Sequence, residues 1–178
     1  MQTEQTANSE MIGLPQGYRL REQVCVSDLP AIRRLVNATG KFTAEEQDIA
    51  VELVQERLDK GAASGYEFCF IENDQGVMAY ACYGHIAGTI SSYDLYWIAV
   101  TPALQGSGLG RTLIYYIEQI VGKIQAARIY VDTSSLADYA PTRRFYRRCG
   151  YTQVASLKHF YAQGVHKVIF VKALPGPG

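Results

Sequence analysis

Three glycines at alternate positions stand where an apolar strand meets an apolar helix, in Val100-Thr101-Pro102-Ala103-Leu104-Gln105-Gly106-Ser107-Gly108-Leu109-Gly110-Arg111. Lacking Cβ atoms, such a backbone can pass close to a ligand. The helix start behind it offers unpaired amides and the positive end of the helix dipole. Together these suit an anion, phosphate above all. A P-loop needs G-x-x-x-x-G-K-[ST], but this segment has no lysine, and Arg111-Thr112 is an imperfect substitute. A dinucleotide fingerprint needs G-x-G-x-x-G. Counted from Gly106 the sixth residue is Arg111, and counted from Gly108 it is Leu113, so both frames fail. The spacing that holds throughout is Gln105-x-x-Gly108-x-Gly110 behind Ile98-Ala99-Val100-x-Pro102.

In that spacing the sequence resembles the GNAT superfamily of N-acetyltransferases, whose signature Q/R-x-x-G-x-G/A holds the coenzyme A pyrophosphate at a strand-to-helix turn. The resemblance covers about residues 18–173, because the order of elements matches as well. It implies an acyl-CoA N-acyltransferase fold with acetyl-CoA as cosubstrate, while the scattered spacing of the four cysteines and of His85, His159 and His166 argues separately against a metal site. It also implies that the strand before the turn splays from its parallel neighbour and receives the pantetheine arm. Ile98 and Val100 would supply backbone groups to that arm, and an amide near Ile98 or Ala99 would meet the oxyanion. Gln105, Gly106, Ser107, Gly108, Leu109 and Gly110 would surround the pyrophosphate, with Arg111 and Thr112 just inside the helix. As plain core strand, Ile98 and Val100 would look the same, since these contacts use main chain.

Acetyl transfer requires a neutral amine, a stabilised oxyanion and a protonated leaving thiolate. A tyrosine, with a reference pKa near 10, stays protonated at neutral pH and can serve a thiolate of pKa about 8.5. The segment Pro141-Thr142-Arg143-Arg144-Phe145-Tyr146-Arg147-Arg148-Cys149-Gly150-Tyr151 resembles the second motif of the family. On that match Tyr146 is the general acid; otherwise it is one of 13 tyrosines packing on an amphipathic helix. The family's asparagine and alanine ahead of this tyrosine are replaced by Tyr139 and Thr142, and Ser134 or Ser135 could stand in for the asparagine. Arg143, Arg144, Arg147 and Arg148 could bind a 3′-phosphate or an acidic substrate, or form a solvated face. By resemblance Asp94 is the candidate general base, through a water, with a solvated strand-end carboxylate as the alternative. Strand alternation puts Asp94, Tyr96 and Ile98 on one side, which places Tyr96 in the same pocket.

The acceptor stays open: a small-molecule amine, an amino acid or a peptide N-terminus. Tyr66, Phe68, Tyr80, Tyr83, Tyr93 and Tyr96 could line its pocket or form strand core. Two other readings remain: a longer acyl-CoA donor, and a non-catalytic acyl-CoA-binding module that would not need Tyr146. In the family, the loop expected over 159–164 borders the acceptor and the dimer contact, so a homodimer is among the expected partners.

These residues need a scaffold. The 178-residue chain is 48% hydrophobic, enough for one domain with a real core. Its 17 basic and 17 acidic residues balance, which speaks against a nucleic-acid partner. No apolar run reaches membrane-spanning length. Cys25, Cys69, Cys82 and Cys149 form no C-x-x-C pair, and they read as buried, reduced thiols suited to the cytoplasm. Residues 1–16 read as a flexible leader, 17–174 as a single domain and 175–178 as a flexible tail. Strands are expected at 18–26, 66–72, 77–85, 93–100, 128–133, 151–157 and 167–172. Helices are expected from an N-cap at Ser27 or Asp28, from a Thr43/Glu46 capping box, along the 113–124 stripe, and at 141–149. The order β-α-α-β-β-β-α-β-α-β-β predicts a mixed α/β fold (α+β type), with a mostly antiparallel sheet of six to seven strands flanked by helices.

Overall fold

A computed structural model describes residues 13–125 and 127–176. Most of the expected leader, residues 1–12, and the last two residues of the tail lie outside the described residues. The elements run β1 (Arg19–Arg21), α1 (Asp28–Ala38), α2 (Ala44–Lys60), β2 (Glu67–Asn73), β3 (Gly76–His85), β4 (Ser92–Val100), α3 (Leu109–Val121), β5 (Arg128–Ser134), α4 (Ala140–Arg148), β6 (Thr152–Ala162) and β7 (Val165–Ala173). The seven strands form a mixed, mostly antiparallel sheet in the order β1-β2-β3-β4-β5-β7-β6. The expected element order and fold class are therefore observed. The described residues cluster into two compact units, one of residues up to Gly84 with Trp97–Ile117, the other of His85–Tyr96 with residues from Glu118 on.

In the first unit, β2 and β3 pair antiparallel with Phe68 opposite Cys82 and Phe70 opposite Tyr80. Their turn forms because the Asn73 side chain accepts the Gln75 amide at 2.8 Å, an Asx turn. Helix α2 starts at the expected capping box: Thr43 Oγ1 accepts the Glu46 amide at 3.2 Å, and Glu46 Oε2 accepts the Thr43 amide at 2.7 Å. Ile32, Leu35 and Val36 of α1 and Ala50 and Val54 of α2 bury their apolar stripes with Phe68, Phe70, Tyr80, Cys82 and Ala99. Each fully buried large side chain contributes about 1.5–3 kcal/mol.

Two expectations fail nearby, for one reason. Strand β1 ends at Arg21 instead of Val26, and Ser27 makes no side-chain cap. The Asp28 carboxylate is buried, and it draws the chain in: Arg21 pairs with it at 2.7 and 2.9 Å, and the Cys25 amide donates to it at 2.9 Å. The bend leaves Cys25 exposed, so the expectation of four buried thiols is corrected to Cys69 and Cys82, with Cys149 half-buried.

In the second unit, β5 pairs along its whole length with β7, antiparallel, from Arg128↔Ala173 to Ser134↔Lys167. The expected loop over 159–164 is mostly strand. β6 continues to Ala162, and its ladder with β7 slips between Leu157 and Ala162. The bulge is held by two imidazoles. His166 Nδ1 accepts the His159 amide at 3.0 Å, and His159 Nδ1 accepts the Gly164 amide at 2.9 Å. His159 itself sits at φ 56°. Among the described residues no helix is long and apolar enough to cross a membrane.

Candidate active site

The glycine turn belongs to the first unit. After Val100 the chain makes a 3₁₀ turn over Pro102–Leu104, and Gln105 Nε2 reaches back to the Val100 carbonyl at 3.3 Å. Ser107 Oγ donates to the Leu104 carbonyl at 2.6 Å. Gly106 and Gly108 take φ of +83° and +98°, a region that side chains disfavour, and a Cβ at either would meet nothing within 4 Å. Gly110 lies within the first turn of α3. That helix therefore begins four residues before the expected stripe, at Leu109. Its first helical bond runs from the Thr112 amide to the Gly108 carbonyl at 3.0 Å. The amides of Gly108, Leu109, Gly110 and Arg111 precede it and have no carbonyl within the helix to take them. Gly108, Leu109 and Arg111 of this set border a concavity of about 330 Å³ that Ser107, Thr112 and Tyr115 also line, with Gly13 and Pro15 of the N-terminal segment across it. The strand leading in is half-buried at Ile98 and Val100 and buried at Ala99.

The proton-handling candidates belong to the second unit. There β4 and β5 are parallel, but their pairing covers only Ser92↔Arg128, Tyr93↔Ile129 and Asp94↔Tyr130. From Leu95 on one strand and Val131 on the other, the ladder is open. Asp94 therefore stands at the last paired step. It is half-buried, and its carboxyl is held above the usual carboxylate range by burial first and by the Asp132 charge second, against an opposing pull from Lys167. Tyr96, two residues on, is 39% exposed. Tyr146 on α4 is only 4% exposed, set against the rings of Phe145, Tyr151 and Phe170. Burial raises its phenol well above the ordinary value, with smaller contributions from Cys149 and Asp132.

The family model of the acetyltransferase (GNAT) domain matches residues 64–153. A crystal structure from Desulfovibrio desulfuricans, assigned to the GNAT acetyltransferases, is 46% identical over 88% of this chain and 98% of its own, with a TM-score of 0.85. This chain belongs to the GNAT acetyltransferase family. Two further GNAT-like structures share the fold at lower identity. The ribosomal-protein-S18-alanine N-acetyltransferase of Escherichia coli is 18% identical, with a TM-score of 0.70 over 90% of this chain and 96% of its own. YncA of Salmonella typhimurium, solved with its cofactor acetyl-CoA, is 19% identical, with a TM-score of 0.67 over 92% and 97%. No curated protein matches the sequence.

Within this GNAT chain, several candidates named from sequence have other duties. Ser134 Oγ accepts the Leu136 amide at 3.2 Å, and Ser135 Oγ accepts the His166 amide at 2.8 Å, so both serines brace the loop before α4. Arg143 donates to the Ser134 and Leu136 carbonyls at 2.6 and 2.9 Å, and Arg147 lies over the Phe170 ring at 5.4 Å. Arg143 is thus engaged within its own fold, while Arg144, Arg147 and Arg148 stand exposed. Sequence reasoning missed Asp132 and Lys167, which form an ion pair beside Asp94. The available signal was one carboxylate in the otherwise apolar stretch Ile129-Tyr130-Val131-Asp132, but only the strand register shows which neighbours it meets.

Proposed function

We propose that this protein transfers the acetyl group of acetyl-CoA to a primary amine by direct attack within a ternary complex. The observation that carries the reading is the cradle at Gly106–Arg111: two glycines in the left-handed region, then four amides with no helical acceptor. Such donors fit a pyrophosphate, and the family places one at this turn. Acetyl-CoA, when bound, supplies an acyl thioester, so that a C–N bond forms as a C–S bond breaks. The main chain of Ile98, Ala99 and Val100 is assigned to the pantetheine arm and the carbonyl oxygen, and Arg111 and Thr112 to the phosphates.

Asp94 is assigned the proton of the acceptor amine. A raised carboxyl is a stronger base than an ordinary aspartate, and it loses its basic form as pH falls through the raised value. Tyr146 is assigned the departing sulfur. Its phenol is held so high by burial that it stays protonated across neutral pH. Full transfer to a thiolate near pKa 8.5 is uphill from there, so Tyr146 acts chiefly by donating a hydrogen bond as the bond to sulfur breaks. Tyr96, exposed beside the open ladder, is assigned to acceptor contact. Overall the acceptor, arriving as an ammonium, loses two protons, one through Asp94 to solvent and one that ends on the departing thiolate, while Tyr146 holds the sulfur by a hydrogen bond as it leaves.

Isothermal titration with acetyl-CoA tests the cradle, with CoA and ATP as controls. Micromolar binding of acetyl-CoA is expected. A panel of amines with thiol-release detection tests transfer, run with Tyr146→Phe alongside and with longer acyl-CoA donors. Binding of neither CoA species would overturn the reading. CoA binding without thiol release from any amine would favour the non-catalytic module.

A further inference from the structure

Asp132 and Lys167 lie outside every motif that pointed to the site, yet they sit beside its base. In the parallel ladder Asp94 stands next to Tyr130, and Asp132, two residues on, points to the same side of β5. Because the pairing with β4 ends at Asp94, no residue of β4 pairs with Asp132. On the other edge of β5, Asp132 is opposite Ile169 and Ser134 is opposite Lys167, which makes Lys167 the diagonal neighbour of Asp132. The two side chains are joined, Lys167 Nζ to Asp132 Oδ2. Lys167 is also held from above: its Nζ lies 4.8 Å from the ring centroid of Phe160, which the imidazole-held bulge of β6 presents. A carboxylate, a second carboxylate and an ammonium thus follow one another across three strands.

We propose that the Asp132–Lys167 pair is the positioning device that keeps Asp94 ready to take the acceptor's proton. The inference rests on the reading of Asp94 as the base. Charge counting gives the reason. Asp94 alone with Lys167 would be bound by it, and would be a poor base. Asp94 alone with Asp132 would face a like charge with no counter-ion. With Lys167 committed to Asp132, the trio carries one net negative charge, which attracts one ammonium and leaves Asp94 as the carboxylate not tied to lysine. Asp132 acts on the second proton-handling group too, since its charge also raises the Tyr146 phenol. Among the described residues, Tyr130 pairs with Asp94 on β5, and Tyr96 follows it on the same face of its own strand. His85 packs against the ring of Tyr93, the residue before Asp94.

Two variants should move the same carboxyl in opposite directions. Asp132→Asn removes a charge that raises Asp94, and Lys167→Met removes one that lowers it. The probe is ¹³C-carboxyl NMR titration of Asp94 in the free protein, paired with the pH profile of kcat/KM for acetyl-CoA and whichever amine turns over. Asp132→Asn should lower the Asp94 midpoint, carry the acidic limb of kcat/KM to lower pH and cut its plateau by roughly 3- to 10-fold through weaker basicity. Lys167→Met should raise the midpoint and carry the limb to higher pH. Lys167→Arg and Asp132→Glu, which keep the charges, should restore both. Midpoints that stay put, or that move the same way in both variants, would overturn the proposal. So would opposed midpoints with an unmoved acidic limb. Opposed midpoints with no thiol release from wild type would overturn the acetylation reading while upholding the charge coupling.

Discussion

The glycine turn of the first unit and the carboxylate–tyrosine cluster of the second use different parts of the chain. At the turn, the proposed site is made of amides. What matters is that Gly106 and Gly108 accept positive φ and that α3 starts where it does. Any residue type with those dihedrals would present the same donors, and only glycine takes them cheaply. In the second unit the proposed chemistry rests on side chains from three strands and a helix: Asp94, Asp132, Lys167 and Tyr146. Their properties come from neighbours. Burial and adjacent charge raise Asp94, and aromatic packing raises Tyr146. A main-chain site is written in a run of adjacent residues. A side-chain site is written in register.

The sharpest way to break the contrast is at Gly108. Gly108→Val would force a β-branched residue to φ +98°, at a strain of about 1–3 kcal/mol, although the added atoms meet no neighbour. The amides should tilt away from the phosphates. Losing even two charge-assisted bonds, at about 1.5 kcal/mol each, weakens acetyl-CoA binding by roughly 100-fold. Gly110→Ala, in ordinary helix, should bind within about 3-fold of wild type, because alanine is the better helix former. Calorimetry on the two variants decides. Equal losses would mean that open space, and not the backbone conformation at Gly108, makes the site.

The second unit should respond in rate and not in affinity. Tyr146→Phe keeps the ring among Phe145, Tyr151 and Phe170 and removes only the hydroxyl. We expect kcat to fall about 100-fold with acetyl-CoA affinity unchanged. A large loss of affinity would place Tyr146 in binding. Asp94→Asn should lower kcat/KM by roughly 10- to 100-fold and flatten the acidic limb. In wild type that limb should lie above the ordinary aspartate range, because burial and Asp132 raise the carboxyl, and activity should fall about tenfold per pH unit below it. The same raised carboxyl means that folding disfavours its ionised form above that pH. Asp94→Asn should therefore unfold at or slightly above the wild-type temperature. A clear drop in thermal stability would mark Asp94 as structural.

The same contrast explains what the sequence revealed. The cradle, the Thr43 capping box and the β2–β3 turn are each local, set by residues a few positions apart, and all three were legible. The element order followed from apolar periodicity. The bend at Arg21 was not legible, because Asp28 and Arg21 are seven residues apart and look like ordinary surface charges until burial joins them. Nor was the β6 bulge, where a histidine at positive φ extends a strand through what reads as a loop. Asp132 was invisible for a similar reason. Its relation to Asp94 depends on where the β4–β5 ladder stops, and no residue type encodes that stop.

The smallest effect sharpens the comparison by separating scaffold from site. The capping box at Thr43 closes two amides at the start of α2, whose Ala50 and Val54 belong to the core that also buries Ala99 of β4. Thr43→Ala should cost about 1 kcal/mol of stability, read as a lower chemical-denaturation midpoint with an unchanged slope. Acetyl-CoA affinity and kcat should both stay at wild-type values, since the donors of the cradle are fixed by Gly108 and by the bonds of Gln105 and Ser107 within the turn itself. If affinity fell in step with stability, the cradle would depend on the α1–α2 packing, and the main-chain site would not be as local as its sequence pattern.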